Sequence, residues 1–378
     1  MPFFSNARPT WAEIRLENLE FNFYSVRNFI GEDIKYMAVV KADAYGHGIV
    51  ECATKLEKAG IDCFGVALPE EGLTLRENGI KKPVICLGGF WEGQENSLLD
   101  NDLTPVIYSL ETAEKFNKAA MEKNIIAAVH IKIDTGMGRI GVRFDDAAEF
   151  AGKLKHFTNL NVEGLMTHFA AADDLREKKF TDAQTKRFYQ TVKTFESKGF
   201  NLIYKDLANS PGAIAHKNSR GNMVRLGGVL YGLGGDVLPK EIDKPKLRPV
   251  MALHARISFL KNVPKGETIG YNRTHKTKKD SIIATVPIGY HDGFPRALSN
   301  RGRVIINNQF APVVGRISMD WTLIDVTGIS DIKVDDEVIL IGNSGGLYIK
   351  AEDLAEIAGT ISYEITCGIN NRVKKVFM

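Results

Sequence analysis

Lys41 stands at the end of the apolar run Met37–Val40 in "YMAVVKADAYGHG" (residues 36–48), with Asp43, Tyr45 and His47 just beyond it. A lysine is costly to desolvate, and its pKa falls readily where it is desolvated. At a strand end it either snorkels to water or is held as a nucleophile. Other apolar runs also end in polar residues. "HIKIDTGMGRIG" carries Lys132 and, after a glycine-rich turn, Arg139. "VEGLMTHF" ends in Thr167 and His168, and "YKDLANS" in Asn209 and Ser210. Arg225 is followed by Leu226, Gly227 and Gly228. Taken singly, each has an ordinary reading as a satisfied core histidine, a paired arginine or a glycine turn. Together they offer an amine for an aldehyde, a small-residue seat for a phosphate and an arginine for a ring nitrogen. Pyridoxal phosphate needs that set of partners.

Such residues must be carried to one place by strands that end on one face. Eight apolar or β-branched runs recur, at residues 36–42, 63–68, 83–88, 104–108, 127–135, 162–169, 204–210 and 223–232. Between most of them lie charged segments of helical period, clearest in "SLETAEKFNKAAMEKN" and "DAQTKRFYQTVKTFESKG". Strand alternating with helix predicts parallel β/α units, and eight of them predict a (β/α)8 TIM-type barrel over residues 1–240. In that architecture the active site lies at the C-terminal ends of the strands. "DVLPKEIDKPKLRPV" reads as a linker, and residues 241–378 read as a mainly antiparallel β domain with one short helix at "KAEDLAEIAG". The fold class expected is α/β, barrel first and β domain second.

The totals narrow the function. The 378 residues are enough for two domains, with 44% apolar and 25% charged residues, as in a globular protein. The 49 basic and 46 acidic residues are well mixed and give a net charge of only +3, which argues against a nucleic-acid or membrane partner. Four scattered cysteines, with no CxxC and no histidine at ligand spacing, argue against a disulfide framework and a metal site. With neither a secretory signal nor an apolar run of about 20 residues, a cytoplasmic protein is expected.

"AVVKADAYGHG" resembles the pyridoxal-phosphate signature of alanine racemases. The similarity extends over nearly the whole chain, through "KIDTGMGRIG", "MTHFA", "ANSPG", "VRLGGVLYG", "IGYNRTH", "PIGYHDGFPR", "GRISMDWTLIDV" and "ISYEI", in the family's order. The resemblance implies interconversion of L- and D-alanine, with D-alanine supplied to peptidoglycan. Lys41 would bond the cofactor aldehyde and serve as one base, and Tyr271 would be the second. Tyr45, Ser210, Gly227, Gly228 and Tyr363 would hold the phosphate, and Arg225, backed by His168, the pyridine nitrogen. Arg139 and the Met319 backbone would bind the substrate carboxylate. Lys132 would be a candidate for carbamylation, making it an anion that orients Arg139. Tyr271 and Met319 would arrive from the partner subunit of a head-to-tail homodimer.

Three positions depart from the commoner pattern: Asn272 where a glycine is frequent, His291 for an alanine and Gly228 for a branched residue. Racemisation calls for a base on each face of the α-carbon, so the Tyr271 phenol must be lowered, by positive charge from His168 or an arginine. A permanently charged Arg225 disfavours protonation of the ring nitrogen, which favours prompt reprotonation over transamination and so suits a racemase; a decarboxylase would be expected to place an acidic residue there. The rivals are a racemase for serine or another small amino acid, a same-fold decarboxylase and a non-catalytic cofactor-binding protein.

Overall fold

Each of the eight apolar runs forms a strand of one closed parallel barrel. A computed structural model describes residues 8–378. After β1 (Thr10–Ile14), the barrel strands are β2 (Lys35–Val39), β3 (Cys63–Val66), β4 (Val84–Cys86), β5 (Leu103–Ile107), β6 (Ala127–Asp134), β8 (Leu160–Met166), β9 (Tyr204–Ala208) and β10 (Met223–Leu226). The two-residue β7 (Val142–Arg143) lies beside the end of β6. The order is β5-β4-β3-β2-β10-β9-β8-β6, and β6 closes on β5 through Val106↔His130 and Ile107↔Ile131. Parallel strands are covered on both faces, hence the unbroken apolar runs. Met37, Cys63, Ile85, Val106, Met166 and Met223 fill the inside. Their alternates, among them Ala38, Phe64 and Leu165, pack outward into the main core.

The two segments of clearest helical period are helices Leu110–Glu122 and Lys178–Ser197. The first buries Ala113, Phe116 and Ala120, spaced three and four apart, and starts where the Ser109 hydroxyl accepts from the Thr112 N–H. The second buries Phe188, Val192 and Phe195.

The second domain is mostly antiparallel. Its largest sheet runs Gln309–Pro312, Arg303–Ile306, Glu337–Ser344, Met251–Arg256, β1, Lys374–Phe377. β1 thus belongs to this sheet, antiparallel to Met251–Arg256 and parallel to Lys374–Phe377, although it precedes the barrel in the chain. Besides the expected helix, Ala351–Ala358, a second one spans Ser362–Gly368. At seven residues it is too short to show a period. Its start is secured from the barrel side, where Asp236 accepts from the Ser362 N–H at 2.6 Å and the Ser362 hydroxyl at 2.7 Å. Such a tertiary cap brings Tyr363 to the mouth of the barrel.

Cys52, Cys63 and Cys86 are buried and Cys367 is exposed, all four unpaired. Among the described residues, no helix is long and apolar enough to cross a membrane, and no cluster of three His, Cys, Asp or Glu side chains could hold a metal ion.

Candidate active site

A cavity of about 700 Å³ opens at the C-terminal ends of the barrel strands. Lys41, the second residue past β2, lines it. Burial first, and then the Arg139 guanidinium, push the Lys41 ammonium down from the usual lysine range. The chain then enters an unusual turn. Ala42, Asp43, Ala44 and Tyr45 all have φ between +53° and +55°, a left-handed conformation that costs about 1–2 kcal/mol per non-glycine residue. Contacts from outside the turn hold it. Glu71 accepts from the Ala42 N–H at 2.6 Å, while Asp43 accepts from the Ile49 N–H at 2.8 Å and from Lys375 Nζ at 2.6 Å.

One end of the cavity carries the hydroxyls of Tyr45, Tyr363 and Ser210 beside Gly227. Tyr45 and Tyr363 approach each other with ring centroids 5.3 Å apart, and both phenols are pushed up by burial, so both remain O–H donors. Ser210 opens the helix Ser210–Ala215, and its hydroxyl accepts from the Gly227 N–H at 2.9 Å. A Cβ on Gly227 would lie 2.7 Å from Tyr45 Oη, and one on Gly228 2.6 Å from Tyr363 Oη. With glycine at both positions the two hydroxyls come this close to the backbone without having to shift. Hydroxyls and a backbone N–H around two glycines fit a phosphate, and Lys41 across the same cavity fits the aldehyde. Gly227→Ala should weaken pyridoxal phosphate binding to the apo-protein about tenfold or more, since overpacking costs about 1–3 kcal/mol. Titration of the apo-protein by fluorescence measures this, and an unchanged affinity would contradict the cradle.

Around Lys132 and Arg225 the polar groups interlock. Lys132 on β6 is buried and donates to the Thr167 carbonyl at 3.2 Å; burial, then Arg225, pushes its amine well below the usual range. Arg225 Nη2 donates to the same carbonyl at 2.8 Å and to the Leu207 carbonyl at 3.2 Å, and meets His168 Nδ1 at 3.2 Å. A guanidinium only donates, so His168 Nδ1 is the acceptor and the ring proton sits on Nε2. Burial, then Arg225, pushes His168 to about 2. His168 is therefore neutral at working pH and is not the source of positive charge expected for Tyr271. The other guanidinium nitrogen, Nη1, is ion-paired with Asp206, a wholly buried residue of β9 that the sequence reading passed over. The signal was there, in a carboxylate at mid-strand in "YKDLA" that could be buried only with a partner. Arg139 reaches the cavity from the turn after β6, where Asp134 accepts from the N–H groups of Gly136 and Gly138.

One chain does not bring every expected residue to this cavity. Tyr271 is 68% exposed and Met319 50% exposed, and neither lines the cavity; both lie on the second domain. Asn272, beside Tyr271, has φ +58°, which explains an asparagine where glycine is frequent. His291 lies outside the cavity, where its carbonyl accepts from Asn370 Nδ2.

His47 and His130 are also buried, and burial pushes each to about 4. All three histidines titrate near 6.5 when unfolded, so the stability they contribute is lost as pH falls below 6.5. Asp206, raised to about 6 by burial, acts in the opposite sense between pH 3.8 and 6. Three buried histidines against one buried aspartate predict a stability that falls as the pH drops from 6.5 toward 4. Urea unfolding at pH 7, 6 and 5 tests it, and equal stabilities would refute it.

Comparison with known proteins places the chain among relatives. The profile "Alanine racemase, N-terminal domain" matches residues 14–234, and "Alanine racemase, C-terminal domain" matches residues 250–377. An alanine racemase of Halothermothrix orenii is 46% identical, over 98% of this chain and 97% of its own. The alanine racemase of Bacillus anthracis with bound L-Ala-P superposes with a TM-score of 0.92 at 34% identity, covering 100% of this chain and 96% of that one. That of Bartonella henselae with covalently bound pyridoxal phosphate superposes with a TM-score of 0.88 at 27% identity, over 98% and 99%.

Proposed function

The chain belongs to the alanine racemase family, and from that premise we propose that Lys41 and Tyr271 are the two bases with which it interconverts L-alanine and D-alanine. The observation that carries this reading is the Lys41 amine, lowered by burial and Arg139, in one cavity with three hydroxyls and Gly227, a set that would suit a phosphate. When bound, pyridoxal phosphate supplies an electron-withdrawing ring that acidifies the α-proton of an attached amino acid. Tyr45, Ser210, Gly227, Gly228 and Tyr363 would hold its phosphate, and Arg225, with His168 behind it, would donate to its ring nitrogen. Arg139 and the Met319 backbone would take the substrate carboxylate, with Lys132, carbamylated, orienting Arg139. Carbon-13 NMR with labelled bicarbonate tests that modification, and an unmodified amine dismisses it.

Lys41 Nζ would take or return the α-proton on one face, because burial and Arg139 make its ammonium give up a proton more readily than a free lysine does. Tyr271 Oη would do so on the other face. The exposure of Tyr271 and Met319, away from their own chain's cavity, supports their use in a partner's cavity, and hence a homodimer with shared sites. The D-alanine formed would supply peptidoglycan in the cytoplasm.

Incubating the cofactor-loaded protein with L-alanine in deuterated water tests the reading. Loss of the α-proton with D-alanine appearing supports two working bases. Exchange without inversion removes the role given to Tyr271, and neither change removes the role of both bases.

A further inference from the structure

Asp206 sits inside the barrel, wholly buried, and none of the roles above uses it. One carboxylate oxygen accepts from Arg225 Nη1, while the other, Oδ2, is buried with no hydrogen-bond partner. Its neighbours across the sheet are Met166 on β8 and Met223 on β10, which donate nothing. The charged or titratable groups that face it are Arg225 on β10, Lys132 on β6 and Cys63 on β3; His168, after β8, packs on Arg225. A desolvated carboxylate with half its capacity unused is a costly thing to keep beneath a cavity floor, and an apolar residue of similar size would avoid that cost.

The geometry around Arg225 gives it a use. Nη2 is fixed by the Thr167 and Leu207 carbonyls and His168, and Nη1 has Asp206 as its partner. The guanidinium is thereby held in one plane, and Arg225 still lines the cavity. We propose that Asp206 is a positioning residue that clamps Arg225 and offsets its charge, so that the ring nitrogen of a bound cofactor meets an oriented donor in a neutral ion pair and not a bare cation. The inference rests on the reading of Arg225 as the partner of the ring nitrogen. It replaces the picture drawn from sequence, of an arginine acting through a permanent positive charge, by one in which direction matters more than charge. Burial pushes the Asp206 carboxyl up to about 6 against the pull of Arg225, so at neutral pH it is the anion this role requires.

Asp206→Asn keeps the shape and removes the charge. Loss of a negative charge lowers the pKa of any proton-binding group nearby. The pKa read from the cofactor's absorption bands as pH is varied should therefore fall by about one unit. The kcat for alanine should fall about tenfold or more, with KM changed little, because Arg225 is not the residue assigned to the substrate carboxylate. Asp206→Glu, which restores the charge, should recover the wild-type absorption pKa. A purely structural role would lower thermal stability in Asp206→Asn and leave that pKa in place, and such a result overturns the proposal. If the asparagine variant does not fold, nitrogen-15 NMR of the wild-type apo-protein decides. A clamped Arg225 gives two resolved, slowly exchanging Nη signals, identified by their loss in Arg225→Lys, and a single averaged signal overturns the clamp. That measurement needs neither cofactor nor turnover, so failure of the racemase reading would be seen separately, as absence of α-proton exchange.

Discussion

Replacing Lys41 with alanine should abolish alanine racemisation in both directions, by roughly 10⁴-fold or more, while the protein remains folded. Lys41 is only partly buried and stands at the cavity, so its removal leaves the barrel core untouched. The loss combines two roles, anchor for the cofactor aldehyde and base on one face, and removing either would already be severe. Lys41→Arg should fare no better, since a guanidinium keeps the charge but neither bonds an aldehyde nor deprotonates near neutral pH. Chiral chromatography of the product from either enantiomer, with circular dichroism to confirm folding, makes the measurement. A variant within tenfold of wild type would remove Lys41 from the mechanism.

Tyr271→Phe should lose roughly 10²–10⁴-fold in racemisation, the span of one general acid–base group. Its side chain is 68% exposed, so the fold should be unaffected, to within about 0.5 kcal/mol. With one base left, α-proton exchange in deuterated water should continue from one enantiomer without inversion. A mixture tests the shared site more sharply. Co-assembling equal amounts of Lys41→Ala and Tyr271→Phe chains places half of the dimers in mixed pairs. Each mixed pair has one cavity with both bases intact, so about a quarter of wild-type activity should return. If no activity returns although mixed dimers form, Tyr271 works on its own chain's cavity or not at all.

The barrel was legible because a parallel strand covered on both faces leaves an unbroken apolar run, and the polar residue ending each run marks one rim. Lys41, His168 and Ser210 follow that rule, whereas Arg225 lies within its strand; all four line the cavity. What could not be read depends on partners far away in the chain. β1 joins a sheet whose other members begin at Met251. The Ser362–Gly368 helix starts on Asp236, 126 residues earlier. Asp206 is explained only by Arg225, on the adjacent strand. The left-handed turn after Lys41 has no glycine among residues 42–45 to announce it, and Asp43 and Glu71 hold it through contacts that no local pattern encodes.

The same turn bears on how the protein matures. A ribosome finishes the last barrel strand, Met223–Leu226, about 150 residues before it makes Lys375, the partner of Asp43. Until the final strand, Lys374–Phe377, docks beside β1, the segment that presents Lys41 and Tyr45 lacks its last clamp. A nascent or C-terminally clipped chain has a full set of barrel strands and still lacks that clamp.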